Sequence, residues 1–197
     1  MTMRTLHLPT ADRTVLTYTP TCQATWPATS TPITSRVPYA AVHVVADPLD
    51  DTDPVTDARL DWEATLAYRH HLWSLGLAIA EAMDTAQRGM GLGWETAKEL
   101  IQRATAEAAA TPGAVIACGA GTDHLEPGQA RTLEDVARAY EEQVAFVEAH
   151  SSRVILMASR ALAACASGPE DYIAIYDRIL CQVKQPAILH WLGDMFD

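Results

Sequence analysis

Five short apolar runs recur at nearly equal spacing, and this repeat constrains the fold more than any other feature of the sequence. The runs are YAAVHVVAD, LAIAEAMD, AVIACGAG, RVILMAS and AILHWLG, beginning at residues 39, 77, 114, 153 and 187. Their starts lie about 37 residues apart, and apolar residues at consecutive positions are typical of parallel strands that are covered on both faces. Each interval carries a helical pattern, so the sequence predicts alternating strands and helices and an α/β fold.

The predicted helices have recognisable ends. Asp61 can cap the first helix and Gly76 can end it, while Thr111-Pro112-Gly113 ends the second helix. The third begins at a capping-box pattern, Thr132 to Asp135, and the fourth begins with Pro169 at its first helical position. The apolar stripe predicted for the fourth helix consists of Ile173, Tyr176, Leu180 and Val183.

The first 36 residues differ from the rest of the chain. Residues 5–8 and 15–18 alternate weakly around a turn at Ala11-Asp12-Arg13, which predicts a β-hairpin. A segment rich in Pro, Thr and Ser follows and predicts an extended connector. The sequence therefore divides into a hairpin with its connector, residues 1–36, and an α/β domain of five strands and four helices, residues 37–197.

Two architectures fit the strand repeat equally well. Five parallel strands can form a complete doubly wound sheet of the flavodoxin type. A βα unit of this length is also the repeat of an eightfold TIM barrel, which typically needs about 250 residues. In that case the 197 residues would supply the first five βα units of a partial barrel.

Composition and charge limit the classes of partner. The net charge of −11 at pH 7 argues against nucleic acid, because no cluster of Lys and Arg is present to contact phosphates. No segment has the ~18 apolar residues that a membrane span requires. Four scattered cysteines without a metal-binding spacing suit reduced thiols, which predicts a cytoplasmic protein. The loop GAGTDHLEPG lacks the glycine spacing and the lysine of a phosphate-binding loop, so no cofactor is predicted.

Polar residues follow the predicted strands, where both architectures place their ligand sites. We expect a small-molecule site at this end of the sheet. Its candidate substrate-binding residues are Asp84, Thr85, Gln87, Arg88, Thr122, Asp123, Ser159 and Arg160, and His190 lies in the fifth strand region.

Three further candidates concern the interior of a barrel. His43 and Glu81 interrupt apolar strands, and Asp47 shares the strand parity of His43, so all three could point into the lumen. A satisfied interior pair is the alternative for His43 and Glu81. Metal-assisted hydrolysis is a second possible function, although the sequence has no HxH or HExxH spacing. Its possible ligands are His43, Asp47, Glu81, Asp123, His124 and His190.

Five longer motifs resemble one known family. They are PYAAVHVVADPLDD, AEAMDTAQRGMGLGW, ACGAGTDHL, ILMASRALAA and ILHWLGDMFD, and together they resemble the uncharacterised family called domain of unknown function 993. That family is similar to the group of dihydrodipicolinate synthase and N-acetylneuraminate lyase, which are class I aldolases on an eightfold βα barrel. The resemblance implies lyase chemistry on a small carbonyl acid.

The resemblance also suggests roles for single residues. The carboxylate-binding Gly-Thr-Thr-Gly-Glu loop of the aldolases falls on residues 84–88, where only Thr85 is kept. The catalytic tyrosine of their fifth strand falls on His190, which can relay a proton near neutral pH. Arg88 or Arg160 would hold the acid group of the substrate.

The aldolase lysine that forms the Schiff base lies on strand 6, beyond the five strands predicted here. The only lysines are Lys98 and Lys184, which are predicted to lie on helices. We therefore expect a truncated barrel that is inactive as a Schiff-base enzyme. Open strand edges would favour self-association or binding of a missing C-terminal half. A non-catalytic binding module is a third possibility.

Overall fold

The computed structural model describes residues 5–19, 33–47, 49–53, 59–125, 132–150 and 152–191. The chain divides into two compact units, Met1–Thr31 and Pro32–Asp197. In the first unit, strands β1 (Leu6–Pro9) and β2 (Val15–Tyr18) pair antiparallel. Asp12 accepts hydrogen bonds from the Thr10 and Thr14 side chains in the turn. The predicted hairpin is confirmed.

The second unit contains one parallel sheet of five strands. These are β3 (Tyr39–Ala41), β4 (Ala78–Glu81), β5 (Ile116–Ala120), β6 (Arg153–Leu156) and β7 (Ile188–Leu189). Each strand pairs with its neighbour in the chain, in the order β3-β4-β5-β6-β7, and the sheet curls into a half-barrel. A flavodoxin-type sheet would have its second strand at the edge and its first strand inside. The doubly wound alternative is therefore wrong.

Five α-helices connect the strands within the described residues. They are α1 (Trp62–Ser74), α2 (Trp94–Ala110), α3 (Leu133–Ala149), α4 (Arg160–Cys165) and α5 (Pro169–Leu180). Asp61 caps α1, Thr132 and Asp135 form the predicted capping box of α3, and Pro169 opens α5. The short helix α4 begins where the sequence predicted only a loop, because the Ser159 hydroxyl accepts a hydrogen bond from the Leu162 amide.

One face of the sheet carries the helices and most of the core. Residues of β5 and β6 such as Cys118, Ala120, Val154 and Leu156 pack there against α2, α3 and α5. Helix α5 contributes Ile175 and Ile179, both buried, whereas Ile173 is 60% exposed. The stripe predicted for this helix was therefore wrong at Ile173. Apolar residues lie on more than one face of α5, and periodicity alone did not identify the packed face.

We call the opposite side of the sheet the inner face. The strand registers place Tyr39, Ala78, Ala80, Ala117, Gly119, Ile155 and Ile188 on it together. Several of these pack with Met83 and Met157, which follow β4 and β6, in a separate apolar cluster. Small side chains therefore dominate the middle of the inner face.

Among the described residues, no helix is both long enough and apolar enough to cross a membrane.

Candidate functional site

Polar side chains from four successive strands meet at the carboxyl end of the sheet. Asp84 follows β4, Thr122 follows β5, Ser159 follows β6, and His190 follows β7. His190 Nδ1 lies 3.6 Å from Asp84 Oδ2, although β5 and β6 separate their strands. Three strand spacings in a flat sheet would span about 14 Å. The curl of the sheet therefore helps to bring these two residues together.

The Asp84–His190 pair has unused hydrogen-bonding capacity. Both side chains are partly shielded, with 39% of the Asp84 side chain and 29% of the His190 side chain exposed. Asp84 Oδ2 and His190 Nδ1 are buried atoms, and neither has a hydrogen-bond partner among the described residues. The backbone amide of His190 donates to the Leu156 carbonyl at 2.9 Å, which anchors the backbone of His190 to β6. A ligand or a transferred proton can therefore bridge the pair.

A buried pair of hydroxyl groups lies between these two strand ends in sheet order. The hydroxyls of Thr122 and Ser159 are 2.6 Å apart, and both residues are buried. Ser159 also accepts from the Leu162 amide, so the start of α4 holds its rotamer. The pair places two buried hydroxyl groups at the carboxyl end of the sheet, which we call the rim.

Arg88 has a different role from the one predicted. Its side chain is fully buried and uses all five of its N–H donors. Nε and Nη2 donate to Asp123, Nη1 donates to the carbonyls of Ala82 and Gly119, and Nη2 also donates to Gln143. The prediction that Arg88 holds the acid group of a substrate is wrong, because the guanidinium has no remaining donor.

Asp123 belongs to the same internal network. Burial acts to raise the pKa of its carboxyl, but the charge and hydrogen bonds of Arg88, together with a bond from Gln143, outweigh burial and lower that pKa. Gln143 also donates to His124 Nδ1 at 2.8 Å. Asp123 is therefore an ionised structural partner of Arg88 at the rim.

Glu81 lies on the helix-covered face of the sheet. Its carboxylate accepts two hydrogen bonds from Arg69 of α1, at 2.9 and 2.8 Å, and both side chains are completely buried. Glu81 and Ile79 are two residues apart in β4, so they lie on the same face of the sheet, and Ile79 packs there against α1. The prediction that Glu81 points into a barrel lumen was wrong. The alternative, that Glu81 belongs to a buried pair with its hydrogen bonds satisfied, is correct. Its partner is Arg69, and not His43.

The two ion pairs meet at Ala82. This buried residue has a φ of 51°, a left-handed conformation that is uncommon for alanine. Its amide donates to Glu81 Oε1, and its carbonyl accepts from Arg88. Charged groups on both sides therefore hold the strained turn that leads to Asp84.

The remaining predicted residues lie in three places. His43 and Asp47 are exposed and follow the end of β3, so they do not share a strand face as predicted. Asp47 Oδ1 accepts a hydrogen bond from the Leu49 amide. Thr85 is half-buried within the 3₁₀ turn Asp84–Ala86, and Gln87 follows it with a φ of 66°. Arg160 is exposed at the start of α4, directly after Ser159.

The structure also bears on metal and Schiff-base chemistry. Among the described residues, no three His, Cys, Asp or Glu side chains gather closely enough to hold a metal ion. Lys98 lies on α2 and pairs with Glu95, whereas Lys184 lies after α5 and pairs with Glu148. Burial raises the pKa of the Cys118 thiol, despite the hydrogen bond from Ser152, which disfavours a thiolate nucleophile there.

Tyr39 on the inner face was not among the residues predicted from the sequence. Its ring packs in the apolar cluster of the inner face, and its buried hydroxyl oxygen has no hydrogen-bond partner among the described residues. The available signal was a tyrosine at the start of a strand otherwise made of Ala and Val.

The fold and the rim define an α/β half-barrel protein with a polar site at the carboxyl ends of its strands. A family model described as "Protein of unknown function (DUF993)" matches residues 6–197. The chain belongs to this family, as the motif resemblance predicted. No curated protein matches the sequence.

Proposed function

We propose that this site catalyses aldolase-like proton transfer on a small carbonyl acid, with His190 as the proton relay. The observation that carries the proposal is the 3.6 Å separation of His190 Nδ1 from Asp84 Oδ2, both atoms lacking a hydrogen-bond partner among the described residues. An imidazole beside a carboxylate is suited to general acid–base catalysis near neutral pH.

The chemical step is proton abstraction next to the substrate carbonyl. His190 takes the proton from that carbon, the C–H electron pair forms an enolate, and Asp84 stabilises the imidazolium that results. The Thr122–Ser159 hydroxyl pair lies on the strands between them and is suited to donate a hydrogen bond to the enolate oxygen. The imidazolium exchanges the abstracted proton with solvent and delivers a solvent-derived proton back to the carbon, which regenerates neutral His190 and the substrate and completes an exchange cycle.

Arg160 is the candidate for binding the substrate carboxylate. It is a charged, exposed side chain that directly follows Ser159 at the carboxyl end of β6. Thr85, beside Asp84, supplies a further hydrogen bond in this proposal. The choice of a 2-oxo acid follows from the proposed kinship with class I aldolases, which act on such substrates. The full aldolase barrel and its kinship with dihydrodipicolinate synthase are part of this proposal.

Neither lysine of this chain is placed for Schiff-base formation, so the proposed step uses acid–base chemistry alone. Borohydride reduction of the protein with 2-oxobutanoate should therefore add no mass to the chain, as measured by intact-protein mass spectrometry. A mass increase that disappears in Lys98→Arg or Lys184→Arg would show that an amine takes part.

Deuterium exchange tests the proposed function directly. The protein is incubated with 2-oxobutanoate in D₂O, and loss of the C3 proton signal is followed by proton NMR. Because general-base catalysis typically contributes 10²–10⁴-fold, we expect exchange above the buffer rate that falls by about 10²-fold or more in His190→Gln. Asp84→Asn should also slow exchange.

His71→Gln and Asp177→Asn are the matched controls, since both residues are exposed on helices away from the rim. These variants should exchange at the wild-type rate. Exchange at the buffer rate in the wild type, or equal exchange in His190→Gln, would overturn the proposed function.

A further inference from the structure

The hairpin of the first unit presents an apolar face to solvent. All residues of β1 and β2 are exposed. The antiparallel register pairs Leu6 with Tyr18 and Leu8 with Leu16, and the alternation of side chains along a strand places these four on one side of the ribbon. We call them the apolar hairpin face. Each of the four residues has between 41% and 53% of its surface exposed.

The other side of the hairpin is more polar. It pairs His7 with Thr17 and Pro9 with Val15, and the Thr17 hydroxyl lies 3.4 Å from His7 Nδ1. A two-stranded hairpin alone is at best marginally stable in water and needs further strands or a packing surface. A contiguous exposed apolar patch with polar neighbours is typical of an interaction site. The apolar hairpin face therefore marks the side of the ribbon that a partner covers.

The distribution of charge favours a second copy of this chain as that partner. The first unit, Met1–Thr31, contains Arg4, Arg13 and Asp12 and has a net charge of +1 at pH 7. Because the whole chain carries −11, the second unit, Pro32–Asp197, carries −12. Two acidic units repel each other at close range, whereas two hairpins carry almost no like charge. The hairpin is therefore the part of the chain through which two copies can meet.

We propose that the apolar hairpin face binds the same face of a second copy, so that two ribbons stack as a four-stranded sandwich. A two-fold axis along the strands makes this contact self-complementary and places both turns at the same end. Asp12 of each turn can then pair with Arg13 of the second copy. Four side chains per copy form a smaller patch than the ~800 Å² per partner of a standard interface, so the dimer is weak and depends on concentration.

Sedimentation equilibrium of the full chain tests this surface with Leu16→Lys and Thr17→Lys. The two residues are neighbours in β2, both are exposed, and they lie on opposite sides of the ribbon, so the variants differ only in the side that gains the charge. Leu16→Lys should raise the dimer dissociation constant about 10-fold or more, because it buries an ammonium group in an apolar contact. Thr17→Lys should change it less than about twofold. Equal dissociation constants in the two variants, or a wild type that stays monomeric, would overturn the inference.

A charge exchange separates loss of the contact from loss of the hairpin structure. Leu16→Glu alone should also weaken the dimer. An equimolar mixture of Leu16→Lys and Leu16→Glu should associate more tightly than either variant alone, since opposite charges then face each other across the interface. The mixture of Thr17→Lys and Thr17→Glu is the control and should associate no more tightly than its components. The inference fails if the two mixtures behave alike.

Other occupants of the apolar hairpin face would give different results. A dimer that persists in Leu16→Lys but dissociates in Leu189→Lys would assign the association to the edge strand β7 and overturn the inference. Phosphatidylcholine vesicles provide the second comparison. If they sediment with wild type and not with Leu16→Lys, while wild type forms no dimer, the face binds a lipid surface and the inference is wrong.

Discussion

Arg88 and Asp123 show how a single charged pair organises the rim at the scale of residues. The guanidinium links the ends of β4 and β5 to Gln143 of α3, and every donor has an acceptor. Removing one partner of such a pair leaves a desolvated charge, which costs more than the pair contributes when both are present. The position of Asp84 at the rim therefore depends on a residue whose own donors are all used within the protein.

Arg88→Met should lower the free energy of unfolding by about 3 kcal/mol. This is the low end of the range for breaking a buried ion pair, because 20% of the Asp123 side chain stays exposed to solvent. Urea unfolding followed by circular dichroism measures this change. Arg103→Met is the control: Arg103 pairs with Glu99 at the surface, so the cost should be below about 1 kcal/mol. Equal losses in the two variants would contradict the structural role of Arg88.

Asp123 should also make stability depend on acid pH. Its pKa is lower in the folded protein than its ordinary value of 3.8. Its contribution is therefore complete above about pH 4 and disappears as pH falls through the lower folded pKa. As the pH is lowered from 5 to 2.5, the urea concentration at the unfolding midpoint of wild type should decrease. In Asp123→Asn this midpoint should change less with pH over the same range. Parallel slopes in the two proteins would contradict this assignment.

Helix α5 gives the clearest test at the scale of secondary-structure elements, since it carries two isoleucines in opposite environments. Ile175 is 5% exposed and packs in the core, whereas Ile173 is 60% exposed. Ile175→Ala should destabilise by about 2–4 kcal/mol, since it leaves a cavity, while Ile173→Ala should cost less than about 1 kcal/mol. Thermal unfolding of both variants measures the difference, and a reversed order would show that α5 packs by its predicted stripe.

The sequence was informative about elements whose signals are local. Thr132, Asp135 and Pro169 predicted the starts of α3 and α5 because capping depends on residues within one helical turn. The consecutive apolar runs predicted all five parallel strands for the same reason. The choice between barrel-like and doubly wound order depends on contacts between distant segments, and the repeat left it open.

The candidate site was predicted less well, because its geometry depends on pairing across the sheet. Asp84, Thr122, Ser159 and His190 lie at the carboxyl end of the sheet, where the strand ends in the sequence placed them. The sequence did not indicate that Asp84 lies next to His190. Glu81 was misplaced because the residues of a strand do not show which helix supplies a buried partner, here Arg69 of α1.

The open edges of the sheet matter at the scale of the whole molecule. Strands β3 and β7 end the sheet, and exposed apolar residues lie within or beside them, including Val37, Leu189 and Trp191. Unpaired strand edges with apolar neighbours favour pairing between chains. We expect the apparent mass of the protein in light scattering to rise with concentration.

Leu189→Lys should reduce this association, because a charge on an edge strand opposes pairing. Ile173→Lys is the control, since Ile173 is equally apolar and exposed but lies on α5 away from the sheet edge. A constant monomer mass for wild type, or the same reduction in both variants, would contradict association through the edge.

The sequential strand order has a consequence for how the chain is made on the ribosome. Each strand pairs first with the one synthesised just before it, so no segment must wait for a distant partner. At about 5–20 residues per second, a unit of about 37 residues emerges every 2–7 seconds, which is long compared with the folding of small α/β units. The Arg69–Glu81 pair closes within the first βαβ unit, and the Arg88–Asp123 pair closes when the end of β5 emerges. Assembly can therefore advance unit by unit, and each of these two ion pairs closes with the unit that supplies its second member.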